Sequence, residues 1–177
     1  MFDVRELTVD VIKQIVIRDM FTAYHDFKAL EFTPYHTDIR FDFIALDRAQ
    51  RLSRIVEVKS SRADFLSDHK WEKYLPYATH FYFAAPQGMI KPDELPPNIG
   101  LAEVITLPHG YKQIQYTRRC RKLHDLTDKA YMKLIEGAFM RYRNERDYME
   151  KQLKQMEHEL RETKLEIELM RNTVGKG

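Results

Sequence analysis

The spacing of hydrophobic residues along the chain changes near residue 125 and divides the 177-residue sequence into two parts. Before this point, short apolar runs alternate with amphipathic stretches and turn-forming residues. After it, apolar residues recur at alternating steps of three and four. The pattern therefore predicts two domains, one of mixed helices and strands over residues 1–124 and a long helix over residues 125–177.

The first part has enough regular pattern to predict most of its elements. Val9, Ile12 and Val16 recur at helical steps and predict a helix over residues 6–27. Ser60-Ser61 offers the N-cap of a second helix. A sheet with helices on its faces, an α/β domain, is the expected outcome. Besides the two strands treated next, the pattern predicts strands at 29–32, 80–85, 100–107 and 111–116 and the second helix at 62–77.

Two apolar runs of strand length are interrupted by charged residues. Asp42 lies within the run at 39–46, and Glu57 and Lys59 end the following run. Residues two apart in a strand point to the same face, so Glu57 and Lys59 project together. If residues 47–53 form the connecting turn, the two strands pair antiparallel and Asp42 lies near Glu57.

This arrangement has the chemistry of a metal-dependent phosphodiesterase. The carboxylates of Asp42 and Glu57, with the Val58 carbonyl, offer the oxygen ligands that Mg²⁺ prefers. The Lys59 ammonium would orient the attacking water or offset charge on the phosphate. Alternatively, Glu57 and Lys59 form part of a solvated strand face, although charges are depleted from strands of this apolarity.

A basic run follows the last predicted strand and includes Arg118 and Arg119. Such a run can lie against the DNA backbone and give salt-dependent binding without sequence preference. A solvated surface patch is the alternative. The formal charge of +2 for the whole chain favours neither interpretation, because a local basic surface would have to carry the binding.

Composition narrows the class of protein. The single cysteine, Cys120, excludes an intrachain disulfide framework and a cysteine-rich zinc site. No apolar stretch reaches membrane-spanning length, and the N-terminal residues lack a signal-peptide pattern. We therefore expect a cytoplasmic protein with no membrane partner.

The second part of the chain has the spacing of a coiled coil. Apolar residues recur at heptad steps, with Arg146 and Thr163 in two of the seam positions. A helix of roughly 45 residues would be roughly 65 Å long, too long to pack on a domain of this size. The pattern predicts a homo-oligomer assembled through this helix; a helix that folds back is the alternative. The apolar seam residues are Ile135, Phe139, Tyr142, Met149, Leu153, Met156, Leu160, Ile167, Met170 and Val174.

With these residues in hand, the chain resembles the PD-(D/E)XK nuclease superfamily, and within it the MmcB-like DNA repair proteins. The resemblance covers roughly residues 5–140, and the continuous match from Glu57 to Tyr74 is much more specific than Glu-x-Lys alone. The matching residues are Arg40-Phe41-Asp42, the run 55–65, Asp68-His69-Lys70-Trp71 with Tyr74, Phe81-Tyr82-Phe83-Ala84 and Gly100-Leu101.

The resemblance implies a restriction-endonuclease-like core, a mixed central sheet flanked by helices. It implies that Asp42 and Glu57 are metal ligands and that Lys59 is the catalytic lysine. Some relatives carry a Gln-x-x-x-Tyr element on the next helix; here Lys70 and Tyr74 have that spacing, as DNA contacts or as a solvated lysine and a core tyrosine. Arg62, inside the matched run, is a further candidate for substrate binding.

These observations predict a Mg²⁺-dependent (or Mn²⁺-dependent) deoxyribonuclease that hydrolyses phosphodiester bonds in DNA repair or recombination. The main alternative is a non-catalytic DNA-binding or scaffolding protein that keeps the nuclease-like fold and assembles through the C-terminal coiled coil. An accessory subunit of a restriction or phage system is a third interpretation.

Overall fold

A six-stranded mixed sheet forms the core of the first part of the chain in a computed structural model, which describes residues 7–20 and 27–174. The strands lie in the sheet in the order of the sequence. The pairs β3–β4 and β4–β5 are parallel, and the other three are antiparallel. The predicted mixed sheet is therefore confirmed. The strands are β1 (Phe27–Phe32), β2 (Phe41–Asp47), β3 (Leu52–Val58), β4 (His80–Pro86), β5 (Gly100–Thr106) and β6 (Lys112–Arg118).

Helices cover both faces of the sheet. The first, α1 (Val9–Asp19), begins after Thr8, whose hydroxyl accepts a hydrogen bond from the Val11 amide. It packs Ile12, Ile15 and Val16 into a core with alternate residues of β2, β3, β4 and β5. The remaining helices are α2 (Arg62–Ser67), the 3₁₀ helices Trp71–Tyr77 and Pro92–Glu94, and α3 (Asp128–Val174).

Aromatic side chains form the core on the opposite face of the sheet. Phe81 and Phe83 of β4 point away from α1 because they alternate with Tyr82 and Ala84, which belong to the α1 core. The Trp71 ring lies 5.7 Å from that of Phe81 and 5.5 Å from that of Phe83. The segment between the parallel strands β3 and β4 therefore covers this face.

The first helix is shorter than predicted. The predicted helix at 6–27 is wrong at its C-terminal end, because Met20 is already extended and Phe27 begins β1. The Asp19 carboxylate accepts hydrogen bonds from Arg18 and from the Ile114 amide of β6, which ties the helix end to the sheet. Residues 6 and 21–26 of the predicted helix lie outside the described residues.

The predicted helix at 62–77 is also wrong as a single element. Ser61 caps α2 by accepting a hydrogen bond from the Asp64 amide, but the helix ends at Ser67. The Asp68 carboxylate then accepts a hydrogen bond from the Lys70 amide at 2.7 Å, a local turn that competes with helical geometry. The chain resumes as the 3₁₀ helix Trp71–Tyr77.

The helix α3 has 47 residues, close to the predicted length. The chain divides into two compact units between Gly137 and Ala138, later than the predicted boundary after residue 124. Within the first unit, Leu134 is buried, and Gly137 passes so close to β1 that a Cβ atom there would lie 2.9 Å from the Phe32 ring. No helix among the described residues is both long enough and apolar enough to cross a membrane.

Candidate active site

The hairpin of β2 and β3 brings Asp42 and Glu57 together. The strands pair antiparallel, as predicted, with Phe43 opposite Val56 and Ile44 opposite Ile55. The same register places Asp42 opposite Glu57, and directly opposed residues share a face of the sheet. The Asp42 Oδ2 atom also accepts a hydrogen bond from the Val58 amide at 2.8 Å, which fixes the carboxylate beside the end of β3.

Lys59 follows β3 and is buried among acidic groups. Its amide donates a hydrogen bond to the Ala84 carbonyl, which continues the pairing of β3 with β4. Its Nζ atom lies 3.0 Å from Glu57 Oε1 and 2.5 Å from Asp68 Oδ2. The Asp64 carboxylate is 3.7 Å from the same ammonium. Lys59 is only 4% exposed, so its position is set by these partners.

The partners of Lys59 keep it charged. Burial opposes the charge of the ammonium, but the hydrogen bond to Asp68 and the charge of Glu57 outweigh burial and raise the pKa of Lys59. Burial of Asp68 is likewise outweighed by the hydrogen bond from Lys59, and the pKa of Asp68 is lowered. Lys59 is therefore a cation and a hydrogen-bond donor at neutral pH, and it cannot serve as a base there.

The Glu57 carboxyl is in the opposite situation. Burial, followed by the negative charge of Asp42, raises the pKa of Glu57 to about 8, although Lys59 acts against this shift. The Tyr74 hydroxyl is close enough to respond to the same groups, and burial together with the charge of Glu57 raises its pKa to about 12. Burial and the nearby carboxylates thus both oppose the ionisation of Glu57 and Tyr74.

The second buried ammonium is that of Lys13, which the sequence analysis did not assign to the site. Its Nζ atom lies 2.8 Å from Asp42 Oδ1 and also pairs with Glu31 Oε1. Glu31 also forms an ion pair with Arg40, whose Nε atom lies 2.9 Å from Glu31 Oε2. A signal existed in the sequence, because Lys13 interrupts the apolar face of α1 beside Ile12 and Val16.

These groups surround a cavity of about 310 Å³ that opens to solvent. Both acidic and basic side chains line it, so the cavity can accept both a cation and a phosphate. Its lining consists of the carboxylates of Asp42, Glu57, Asp64 and Asp68, the cations of Arg40, Lys59 and Lys70, and the hydroxyls of Ser67 and Tyr74.

The donor set fits a magnesium ion in its chemistry. Mg²⁺ is commonly held by one or two carboxylates and keeps several water ligands, and Asp42 and Glu57 supply two opposed carboxylates. Val58, between Glu57 and Lys59, is the predicted carbonyl donor. Among the residues that the structure describes, however, no group of three or more His, Cys, Asp or Glu side chains is arranged to hold a metal ion.

Lys70 and Tyr74 both reach the cavity. Lys70 precedes the 3₁₀ helix, and its backbone amide donates a hydrogen bond to the Asp68 carboxylate. The Lys70 side chain is exposed and lines the cavity. Tyr74 is buried, and its ring meets that of Phe41 edge-on at 5.3 Å. Tyr74 therefore belongs both to the core and to the lining of the cavity.

The three arginines predicted to bind substrate lie elsewhere. Arg62 pairs with Glu94 and donates to the Met89 carbonyl. Arg118 donates to backbone carbonyls of the loop that precedes β5, including those of Ile99 and Pro96 at 2.8 Å. Arg119 is exposed, with its guanidinium 5.1 Å from the centre of the Tyr116 ring. None of the three is among the residues that line the cavity.

Comparison with known proteins places this chain in a family. A protein of unknown function from Silicibacter pomeroyi, SPO1766, has a similar structure, with a TM-score of 0.63 and 23% sequence identity. The similarity covers 84% of this chain and 94% of that protein. No curated protein matches the sequence. The family described as DNA repair protein MmcB-like matches residues 7–143, and the chain therefore belongs to the MmcB-like family of DNA repair proteins.

Proposed function

We propose that the chain is a Mg²⁺-dependent deoxyribonuclease of the PD-(D/E)XK type, which also accepts Mn²⁺ and hydrolyses phosphodiester bonds in DNA repair or recombination. One observation carries the proposal: Asp42 and Glu57 are opposed across β2 and β3, with the Lys59 ammonium 3.0 Å from Glu57, in one polar cavity. Membership in a family of DNA repair proteins makes DNA the expected substrate.

The residues of the cavity would have different roles in hydrolysis. A bound Mg²⁺ would stabilise negative charge on the phosphate oxygens and lower the pKa of a water molecule. Asp42 and Glu57 would hold the ion. Because Lys59 remains protonated, it would donate a hydrogen bond to the attacking water or to a phosphate oxygen, where negative charge increases in the transition state.

The exposed cations beside the cavity are suited to position DNA. The Arg40 side chain is 70% exposed although it pairs with Glu31, and Lys70 is exposed at the same cavity. Contacts from such groups to phosphate oxygens are strengthened by charge and do not depend on base sequence. We include Arg40 in this surface, and retain Lys70 and Tyr74 as predicted substrate contacts.

A second candidate function is DNA binding without hydrolysis, by a scaffolding protein that keeps the fold. A specific observation favours it, because each proposed carboxylate ligand already pairs with an ammonium group, Asp42 with Lys13 and Glu57 with Lys59. A protein of this kind could use the cavity to bind a phosphate and rely on α3 for its main interaction.

We further propose that α3 joins copies of the chain through its predicted heptad seam. In the second unit the apolar seam residues from Phe139 to Met170 are exposed, including Met149, Leu153 and Met156. An exposed apolar stripe of this kind normally marks an interaction surface. Alternation of acidic and basic residues beside the seam would favour a second helix of the same sequence.

The decisive experiment is cleavage of single-stranded, double-stranded and branched DNA with Mg²⁺ or Mn²⁺. We expect wild type to cleave at least one of these substrates, and Asp42→Ala and Lys59→Ala each to reduce the rate by 100-fold or more. Asp93→Ala and Lys129→Ala remove exposed charges of the same types and serve as matched controls. Circular dichroism would verify that each variant is folded.

The outcomes separate the two candidates. Cleavage that survives both site substitutions rejects the proposed active site. Binding of DNA by wild type without cleavage of any substrate, in either metal, rejects the nuclease and leaves the scaffolding protein.

A further inference from the structure

Lys13 places a positive charge beside Asp42, a carboxylate that would coordinate a metal ion. Its ammonium lies 2.8 Å from Asp42 Oδ1, and the other oxygen of Asp42 accepts the Val58 amide at 2.8 Å. Both oxygens of the proposed ligand are therefore engaged within the protein. A cation that binds Asp42 through Oδ1 has to share that oxygen with Lys13 or displace the ammonium.

The surrounding structure holds Lys13 in this position. Lys13 is 9% exposed and projects from the buried face of α1. Its second partner, Glu31, has a φ of 51°, a left-handed conformation that is uncommon for a residue other than glycine. The two pairs of β1 with β2 on either side of Glu31 are regular, Leu30 with Phe43 and Phe32 with Phe41. The local distortion thus presents Glu31 to Lys13.

Lys13 and Lys59 are not equivalent in this arrangement. Lys59 contacts Glu57, Asp64 and Asp68 and belongs to the matched Glu-x-Lys motif. Lys13 comes from a different element, and among residues 7–20 and 27–174 its ammonium pairs with carboxylates of β1 and β2. Its removal would leave Glu31, Asp42 and Glu57 with one buried ammonium fewer and so increase the attraction for a divalent cation.

We propose that Lys13 is an internal counter-ion that competes with the divalent metal for Asp42 and thereby sets the metal affinity of the site. The inference rests on the proposed function, since it assumes that Asp42 is a metal ligand. In the protein without metal, Lys13 stabilises the closely spaced carboxylates of the site. When the metal binds, the Lys13 ammonium moves away from Asp42 and keeps its pair with Glu31.

The test is a direct titration of the whole chain with Mn²⁺ in the absence of DNA. Electron paramagnetic resonance and calorimetry measure the binding. We expect Lys13→Met to bind Mn²⁺ at least tenfold more tightly than wild type. Lys13→Arg keeps the charge and should retain the weaker affinity. Lys129→Met, which removes an exposed lysine of α3, is the matched control and should leave the affinity unchanged.

A double variant controls for net charge and for folding. Lys13→Met with Glu31→Gln removes both members of one ion pair, so the net charge equals that of wild type. Asp42, the other partner of Lys13, keeps its hydrogen bond from the Val58 amide. We expect this variant also to bind Mn²⁺ more tightly than wild type. If Lys13→Met does not fold, the double variant decides the question alone.

The possible results distinguish this inference from the proposed function. Affinity in the folded variants that equals or falls below that of wild type overturns the counter-ion role, even if wild type cleaves DNA. Tighter Mn²⁺ binding by the variants supports the role, even if the cleavage assay finds no activity and the nuclease proposal fails.

Discussion

Burial and one neighbouring charge decide the state of the Glu57 carboxyl. The group is desolvated between β2 and β4 and faces Asp42, and these two effects raise its pKa to about 8 from an ordinary value of 4.5. Metal binding requires the deprotonated carboxylate, so Mg²⁺ would release a proton from Glu57 near neutral pH. A bound cation would therefore stabilise the charged form of Glu57, which burial and Asp42 disfavour.

This shift predicts how the stability of the metal-free protein depends on pH. Between pH 4.5 and about 8 the folded state retains a proton on Glu57 that the unfolded state has lost, so the free energy of unfolding falls as pH rises. Glu57→Gln removes this titration. We expect wild type to lose about 2 kcal/mol relative to Glu57→Gln between pH 6 and pH 8, measured by urea unfolding without divalent metal. Parallel profiles for the two proteins would contradict the raised pKa.

The same residues show what the sequence could and could not reveal about the site. Asp42, Glu57 and Lys59 were found because strand periodicity and a short turn relate them locally. Lys13 contacts Asp42 from α1, and Asp68 contacts Lys59 from the turn after α2. Their positions depend on how elements pack across the sheet, and no spacing along the chain encodes that distance.

Among the secondary-structure elements, strands were predicted better than helix ends. The strands at 80–85 and 100–107 agree closely with β4 and β5, because continuous apolar runs are typical of buried parallel strands. The break at Asp68 was missed, since it depends on a carboxylate that bonds both the Lys70 amide and the Lys59 ammonium. Helical periodicity continues through this break in the sequence, and the local turn at Asp68 together with its ion pair to Lys59 explains the break.

The pairing of β4 with β5 makes a prediction about Gly100. Gly100 lies opposite Tyr82, and a Cβ atom at Gly100 would lie 2.3 Å from the Tyr82 ring. Tyr82 is 6% exposed and packed in the α1 core, so the ring cannot move without disturbing its neighbours. We expect Gly100→Ala to reduce the free energy of unfolding by about 1–3 kcal/mol, as overpacked cores do.

A double-mutant cycle identifies the cause of that loss. In a Tyr82→Ala background the ring is absent, and Gly100→Ala should cost markedly less than in wild type when both are measured by urea unfolding. Equal costs in the two backgrounds would show that the glycine is required for a reason other than the close approach of Tyr82.

For the molecule as a whole, the family relationship and the long helix provide different kinds of information. The family match ends at residue 143, whereas α3 continues to Val174. The family relationship therefore concerns the part of the chain that contains the cavity, while the function of the remaining helix has to be inferred from its own residues. Its length was predictable because heptad spacing persists without proline.

Self-association through α3 should depend on the seam and not on the charged positions beside it. An isolated helix gains little stability from its own hydrogen bonds, and burial of seam residues against a second copy would supply the stabilisation that it lacks. Leu153 is a seam residue and 55% exposed, whereas its neighbour Lys154 lies outside the seam. By sedimentation equilibrium we expect an oligomer for wild type and for Lys154→Glu, and a monomer for Leu153→Glu and for a chain that ends at Arg146. A wild-type chain that sediments as a monomer at micromolar concentration would exclude the coiled coil, and an oligomer that persists in the shortened chain would place the interface in the N-terminal unit instead.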